Sequence, residues 1–185
     1  MKYCGCYYDG LKNGYGVLYD RNGMIEYEGL FKDDVVIDDK DCQIQWIGDC
    51  DLTVVSCIES LTIGDGFNPR DMSSLILTSS LLSLKRIDIG NNCFTSVTQF
   101  VIDGLNELKS LTIGKDSFTI SKNNRIGSSC VIMNCDQLSE IHFGNESFYW
   151  YESFELKNLP SLISTQLDVY AFCSYHVVVF DSMND

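Results

Sequence analysis

Apolar and polar positions along this chain fall into a repeating phrase: an apolar strand, a glycine, and four residues later a phenylalanine. It reads Leu84-x-x-Ile87-x-Ile89-Gly90 with Phe94, Leu108-x-x-Leu111-x-Ile113-Gly114 with Phe118, and Leu138-x-x-Ile141-x-Phe143-Gly144 with Phe148. A last copy, Leu162-x-x-Thr165-x-Leu167-Asp168 with Phe172, puts Asp in the glycine slot. The leading residues are spaced by 24, 30 and 24 positions, a period that signals a stack of coils.

Each copy has a second half. Phe100, Ile102 and Leu105 precede Leu108, and Cys130, Ile132 and Cys135 precede Leu138 at the same offsets. Phe154, Leu156 and Leu159 precede Leu162, and Cys50, Leu52 and Val55 precede Ile58. Ile76, Thr78 and Leu81 precede Leu84, with Thr78 the one polar intruder. Val178, Phe180 and Met183 open a further copy. Each coil therefore carries two short strands of period two joined by bends. One such coil cannot bury its own apolar face, so neighbours must stack on a shared core. The glycine is expected to serve a bend with positive φ, a conformation that Asp168 also tolerates. The longer copy carries its surplus in residues 119–129, whose polar run SKNNRIGSS predicts an outward bulge.

The pattern L-x-x-I-x-I-G-x-x-S-F followed by F-x-I-x-x-L resembles BspA-like leucine-rich repeats over about residues 50 to 183. That resemblance implies an interaction or surface-display protein. No fixed asparagine recurs in every coil, unlike the usual leucine-rich ladder.

The first forty residues keep a different rhythm. Asn13-Gly14 and Asn22-Gly23, each flanked by apolar or aromatic residues, predict hairpin turns. Tyr8-x-Gly10-x-x-Asn13-Gly14-Tyr15-Gly16, with Gly23 and Tyr27-Glu28-Gly29-x-Phe31, resembles a MORN repeat. The resemblance implies aromatics packing across glycines, and a role in scaffolding or at membrane lipids. A hairpin cap shielding the first coil is the simpler role. The acidic stretch DDVVIDDKD reads as a strand carrying the hairpin into the coils, and residues 42–48 as an incomplete entry coil. The predicted architecture is thus mostly β: a MORN-like hairpin cap over residues 1–41, then a right-handed, parallel, leucine-rich-repeat-like β-solenoid of about five coils over residues 42–185.

Composition narrows the function. Against 26 acidic residues stand 13 basic ones, a net charge of −13 that repels nucleic-acid backbones and anionic lipid. Protein is the expected partner, with nucleic acid excluded and a membrane disfavoured. No apolar run reaches the length of a membrane span and MKYCGCYYDG lacks a signal-peptide core, so a cytoplasmic location is expected. Nine cysteines without a C-x-x-C pair, beside two histidines, read as buried thiols rather than a metal or disulfide framework. Cys50, Cys93, Cys130 and Cys135 fall in slots of the repeat; Cys4-x-Cys6 is the one local pair without a slot.

Neither a P-loop nor a nucleophile elbow nor a dinucleotide fingerprint is present, and no catalytic residue, metal or cofactor is expected. The outward strand positions form the candidate binding face: Arg86 and Asp88, Ser110 and Thr112, Glu140 and His142, Ser164 and Gln166. Stacking places Asp88, Thr112 and His142 in one ladder. Beside this face Tyr149, Trp150 and Tyr151 are three adjacent aromatics of which at least one is expected outside; Trp150 reads equally as an interface anchor or as a cover over the neighbouring coil. The last strand, Val177 to Phe180, is a candidate for end-to-end self-association.

Overall fold

The computed structural model describes residues 2–8, 10–36, 43–46, 59–69, 72–79, 81, 83–173 and 177–181. The protein is mostly β, and its parallel sheets form a β-solenoid.

The N-terminal part is a separate antiparallel sheet of β1 (Lys2–Tyr8), β2 (Leu11–Tyr19), β3 (Ile25–Lys32) and β4 (Val35–Val36), in that spatial order. The turn expected at Asn22-Gly23 is present: Gly23 has φ +81°, and the Asp20 carboxylate accepts from the amides of Asn22 and Met24. The turn expected at Asn13-Gly14 is not, because both residues lie inside β2. Tyr8 pairs with Leu11, so the chain reverses between them, and Gly10 has φ +78°. Asp33 and Asp34, both left-handed, make a two-residue turn into β4. The acidic stretch therefore begins by folding back on β3. Its remainder and the boundary near residue 40 lie outside the described residues. Aromatics do pack across glycines: a Cβ on Gly16 would meet the Tyr3 ring, and one on Gly29 the Tyr27 ring. Both rings meet buried Phe31 edge-on, at 5.0 and 5.3 Å.

From β6 onward strands alternate between two parallel sheets, and β5 lies beside β6 in the first of them. One runs β14-β12-β10-β8-β6-β5, built from Gln43–Trp46 (β5), Ser60–Ile63 (β6), Arg86–Ile89 (β8), Ser110–Ile113 (β10), Glu140–Phe143 (β12) and Ser164–Leu167 (β14). The other runs β15-β13-β11-β9-β7, built from Ser74–Thr78 (β7), Gln99–Asp103 (β9), Ser129–Met133 (β11), Ser153–Lys157 (β13) and Val177–Asp181 (β15). Every leading aliphatic of the inner copies points into one continuous core. Cys50, Leu52, Val55, Ile58 and Met183 lie outside the described residues.

One register differs from expectation. Leu75 and Leu77, not Ile76 and Thr78, align with Phe100 and Ile102 and are buried. Both frames of Ser-Leu-Ile-Leu-Thr look apolar, but only this one buries two leucines instead of a threonine. A one-residue slip flips every side chain of a strand, so Ile76 stands outside.

The corners after β8, β10, β12 and β14 explain the glycine and the phenylalanine. Gly90, Gly114 and Gly144 do not have positive φ, which corrects the expected bend, and neither does Asp168. They are close-approach positions: a Cβ on Gly114 would come within 2.5 Å of the Gly90 backbone. The left-handed residues come later, as the pairs Asn92/Phe94, Asp116/Phe118, Glu146/Phe148 and Tyr170/Phe172. Their amides point in opposite directions: Asp116 donates to Asn145 in the next coil, and Phe118 to Cys93 in the previous one. The corner thus continues the inter-coil ladder. Left-handed φ costs an ordinary residue about 1–2 kcal/mol. The four rings recover it by stacking at centroid distances of 5.0, 4.8 and 4.7 Å, because burying a Phe contributes about 1.5–3 kcal/mol and an aromatic contact about 0.5–1.5 more.

The expected bulge at residues 119–129 is present. It is pinned by buried Ile120 and Ser128 and closed by a 3-10 turn at Lys122–Asn124. Among the described residues no helix is long and apolar enough to cross a membrane.

Candidate interaction faces

The six-stranded sheet turns its polar rows outward as expected. Ser60, Arg86, Ser110, Glu140 and Ser164 align in register, and so do Thr62, Asp88, Thr112, His142 and Gln166. Asp88, Thr112 and His142 are therefore neighbours in one ladder, spaced by the ~4.8 Å of adjacent strands. Their charges are largely answered locally. Arg86 pairs with Asp88 two residues along its own strand, which pushes the guanidinium pKa up. The His142 Nε2 lies 3.2 Å from Asp168 and 3.3 Å from the Gln166 amide, which itself donates to Asp168 at 2.9 Å. The Gln166 hydrogen bond, then that of His142, holds the Asp168 carboxyl below its usual range. At Arg86–Asp88 and at His142–Gln166–Asp168 the polar groups already satisfy one another, which leaves these positions less with which to specify a ligand.

The outward face of the five-stranded sheet is different, and the strand pattern alone did not reveal it. Its central row is Ile76, Val101, Val131 and Glu155, aligned strand by strand. Ile76 is 56% exposed, and Val101 and Val131 are half-buried by their neighbours on the sheet. Half-buried Met133 stands in the next row beside Asp103 and Lys157. An apolar stripe thus crosses β7, β9 and β11 and stops at the Glu155–Lys157 ion pair. Polar groups border it on both sides: Ser129 donates to Gln99 at 2.7 Å, and Asn134 to Asp103 at 2.8 Å. Asn158 donates to Asn134 in turn, so a short asparagine ladder does line this corner. The signal was readable in Leu-Ile-Leu, Phe-Val-Ile and Cys-Val-Ile. In each, the residue between two inward positions is apolar at the same point of the coil. A strand with one face in water ordinarily alternates, so this repeated failure of alternation leaves apolar side chains on the water-facing side.

The aromatic triplet lies on neither sheet face. It sits in the bend between β12 and β13, and its members part ways. Tyr151 is fully buried and donates its hydroxyl to the Val97 carbonyl at 2.6 Å; burial pushes its pKa well up. Trp150 is half-buried against the core, edge-on to half-buried Tyr149 at 5.1 Å, with the Lys122 ammonium 5.7 Å from its ring. That geometry is a cover over the coil, held partly by a cation–π contact.

The cysteine slots are as expected: Cys93, Cys130 and Cys135 are free and fully buried. Burial raises all three thiol pKa values, that of Cys135 to about 11, so these sulfurs are poor nucleophiles and packing groups. Cys4 and Cys173 are free and exposed, and the Cys6 side chain lies outside the described residues.

No protein-family model, curated protein or solved structure matches this chain.

Proposed function

We propose that this chain is a non-catalytic protein-interaction or scaffolding module of the cytoplasm, and that it grips its partner through the exposed solenoid. The observation that carries this reading is the in-register apolar stripe of Ile76, Val101, Val131 and Met133, bordered by polar groups. An apolar centre inside a polar rim is the composition of a protein–protein contact. The resemblance of the repeat to BspA-like leucine-rich repeats agrees with it, as does a solenoid's extended surface. The polar rows of the six-stranded sheet lie on the outward face of the other sheet and are the competing surface.

The test is capture by the intact chain, compared with a Val101→Ser/Val131→Ser double variant and an Arg86→Ala/His142→Ala double variant. Each apolar residue buried at such a centre is worth about 1–2 kcal/mol, so the stripe variant should bind at least tenfold more weakly. Partners retained equally by all three chains, or lost only by the Arg86/His142 variant, would reject the stripe.

A second reading, a MORN-type tether at a membrane surface, draws on the exposed Met24, Ile25 and Val35 of the N-terminal sheet. Pelleting with neutral and with anionic liposomes separates the two, since a tether follows the vesicles and a protein-binding module stays in solution. The net charge of −13 favours the latter.

A further inference from the structure

We propose that the partner of the apolar stripe is a basic protein segment, whose aliphatic side chains cover the stripe while its lysines or arginines meet an acidic rim at the stripe's edge. This rests on the stripe as the binding surface and adds the chemistry of what binds there. Net charge alone does not say where a cation would sit; the charges around the stripe do.

The outward rows of β9 and β11 carry one uncompensated charge. Asp103 stands two residues from Val101 on β9, aligned with Thr78 of β7 on one side and Met133 of β11 on the other. It is half-buried, and it accepts from the neutral amide of Asn134 at 2.8 Å. Among the described residues no cation lies within ion-pair distance of it. Glu155, farther along the stripe's row, is already paired with Lys157.

Two more acids follow at the same corner. Glu107 lies in the bend after β9, and Asp136 in the bend after β11, one coil on. Both are exposed; Glu107 accepts from the Gln137 amide at 3.2 Å. Burial, and after it the charges of Asp103 and Asp136, raise the pKa of the Cys135 thiol, so these two carboxylates gather round one sulfur. Neither Glu107 nor Asp136 has an ion-pair partner among the described residues, and Lys109, two positions past Glu107, pairs with none of the three.

Docking on the stripe necessarily covers Asp103, because its neighbours Val101 and Met133 are part of the stripe. A purely apolar occupant would leave that carboxylate desolvated and unpaired, and an acidic one would add repulsion. A basic occupant answers it, and the net charge of −13 draws such a segment in from solution. Beyond the opposite border, where Gln99 donates to the Gly127 carbonyl, the bulge carries Lys122 and Arg125. The stripe thus has an acid side and a base side, which fixes how the partner lies across it.

Fluorescence anisotropy of the full chain with short labelled peptides decides the matter: alternating Leu-Lys, alternating Leu-Gln and alternating Ser-Lys. Leu-Lys is expected to bind at least tenfold more tightly than either control, and more weakly as salt rises from about 50 to about 300 mM. Asp103→Asn/Glu107→Gln/Asp136→Asn keeps each side-chain acceptor and should weaken Leu-Lys at least threefold. Glu26→Gln/Glu59→Gln/Glu140→Gln, which removes three exposed acids outside the five-stranded sheet, should change it less than twofold. Far-UV circular dichroism checks the fold; should the first variant not fold, Asp103→Asn against Glu140→Gln makes the same comparison. Leu-Gln bound as tightly as Leu-Lys, and lost by Val101→Ser/Val131→Ser, overturns the basic partner and leaves the stripe as the binding surface. Leu-Lys binding that ignores Val101→Ser/Val131→Ser, or Ser-Lys binding equally tight, rejects the stripe and the proposal with it. Equal weakening by both triple variants, or no binding of Leu-Lys, overturns the proposal as well.

Discussion

The two sheets of the solenoid share one core and one coil period but face water differently. On the six-stranded sheet Asp88, Thr112 and His142 alternate cleanly with buried aliphatics; Arg86 pairs with Asp88, and Asp168 lies within hydrogen-bond distance of His142 and Gln166. On the five-stranded sheet Ile76, Val101 and Val131 break the alternation in three successive strands. Clean alternation describes a surface that water already satisfies. Broken alternation leaves apolar area that only a partner removes from water, at roughly 25 cal/mol per Å². A row of polar residues in register is therefore the weaker indicator of function, although it catches the eye first.

The severest test of the comparison is the interior on which both faces rest. Phe148 stacks on Phe118 and Phe172 and touches Phe100, Phe143 and Tyr151. Phe148→Ala should cost about 3–5 kcal/mol in urea unfolding, enough to compromise both faces together. A loss below about 1 kcal/mol would mean that the coils do not depend on this column.

A sharper and smaller test separates the faces. Val101→Ser/Val131→Ser and Arg86→Ala/His142→Ala both alter partly exposed groups, so each single change should move stability by only about 0.5 to 1 kcal/mol. Only the first pair should lose its partner. If both keep the fold and both lose binding equally, the two faces are not functionally distinct.

The smallest effect belongs to the polar face alone. The Asp168 carboxyl is lowered by Gln166 and His142, so its folded pKa lies beneath its unfolded one. The stability it contributes is present above the ordinary carboxylate range, about pH 4, and disappears as pH falls through the folded pKa. Asp168→Asn should lower neutral stability slightly and leave stability at low pH unchanged, which flattens that acid limb. An unaltered acid limb in thermal melts would show that the cluster contributes nothing.

Much of this was legible in the sequence. The coil period, the inward aliphatics, the aromatic column and the buried thiols all follow from spacing, because a stacked coil repeats its environment at a fixed interval. Mistakes arose where two local readings were equally good. Ser-Leu-Ile-Leu-Thr offers two frames, and Asn13-Gly14 competes with the Asp-Gly pair at residues 9–10 for the first reversal. In both cases pairing with a neighbouring strand broke the tie. Trp150 was equally open between anchor and cover until its contacts with the core and with Lys122 were known.

The order of residues alone determined that this chain stacks coils and which side chains fill them, because burial demands a period and the period is written in one dimension. What each glycine does, where the chain turns left-handed, and which frame of β7 faces the core depend on strands one coil away. Those distances are set by tertiary contact, and no local pattern encodes them.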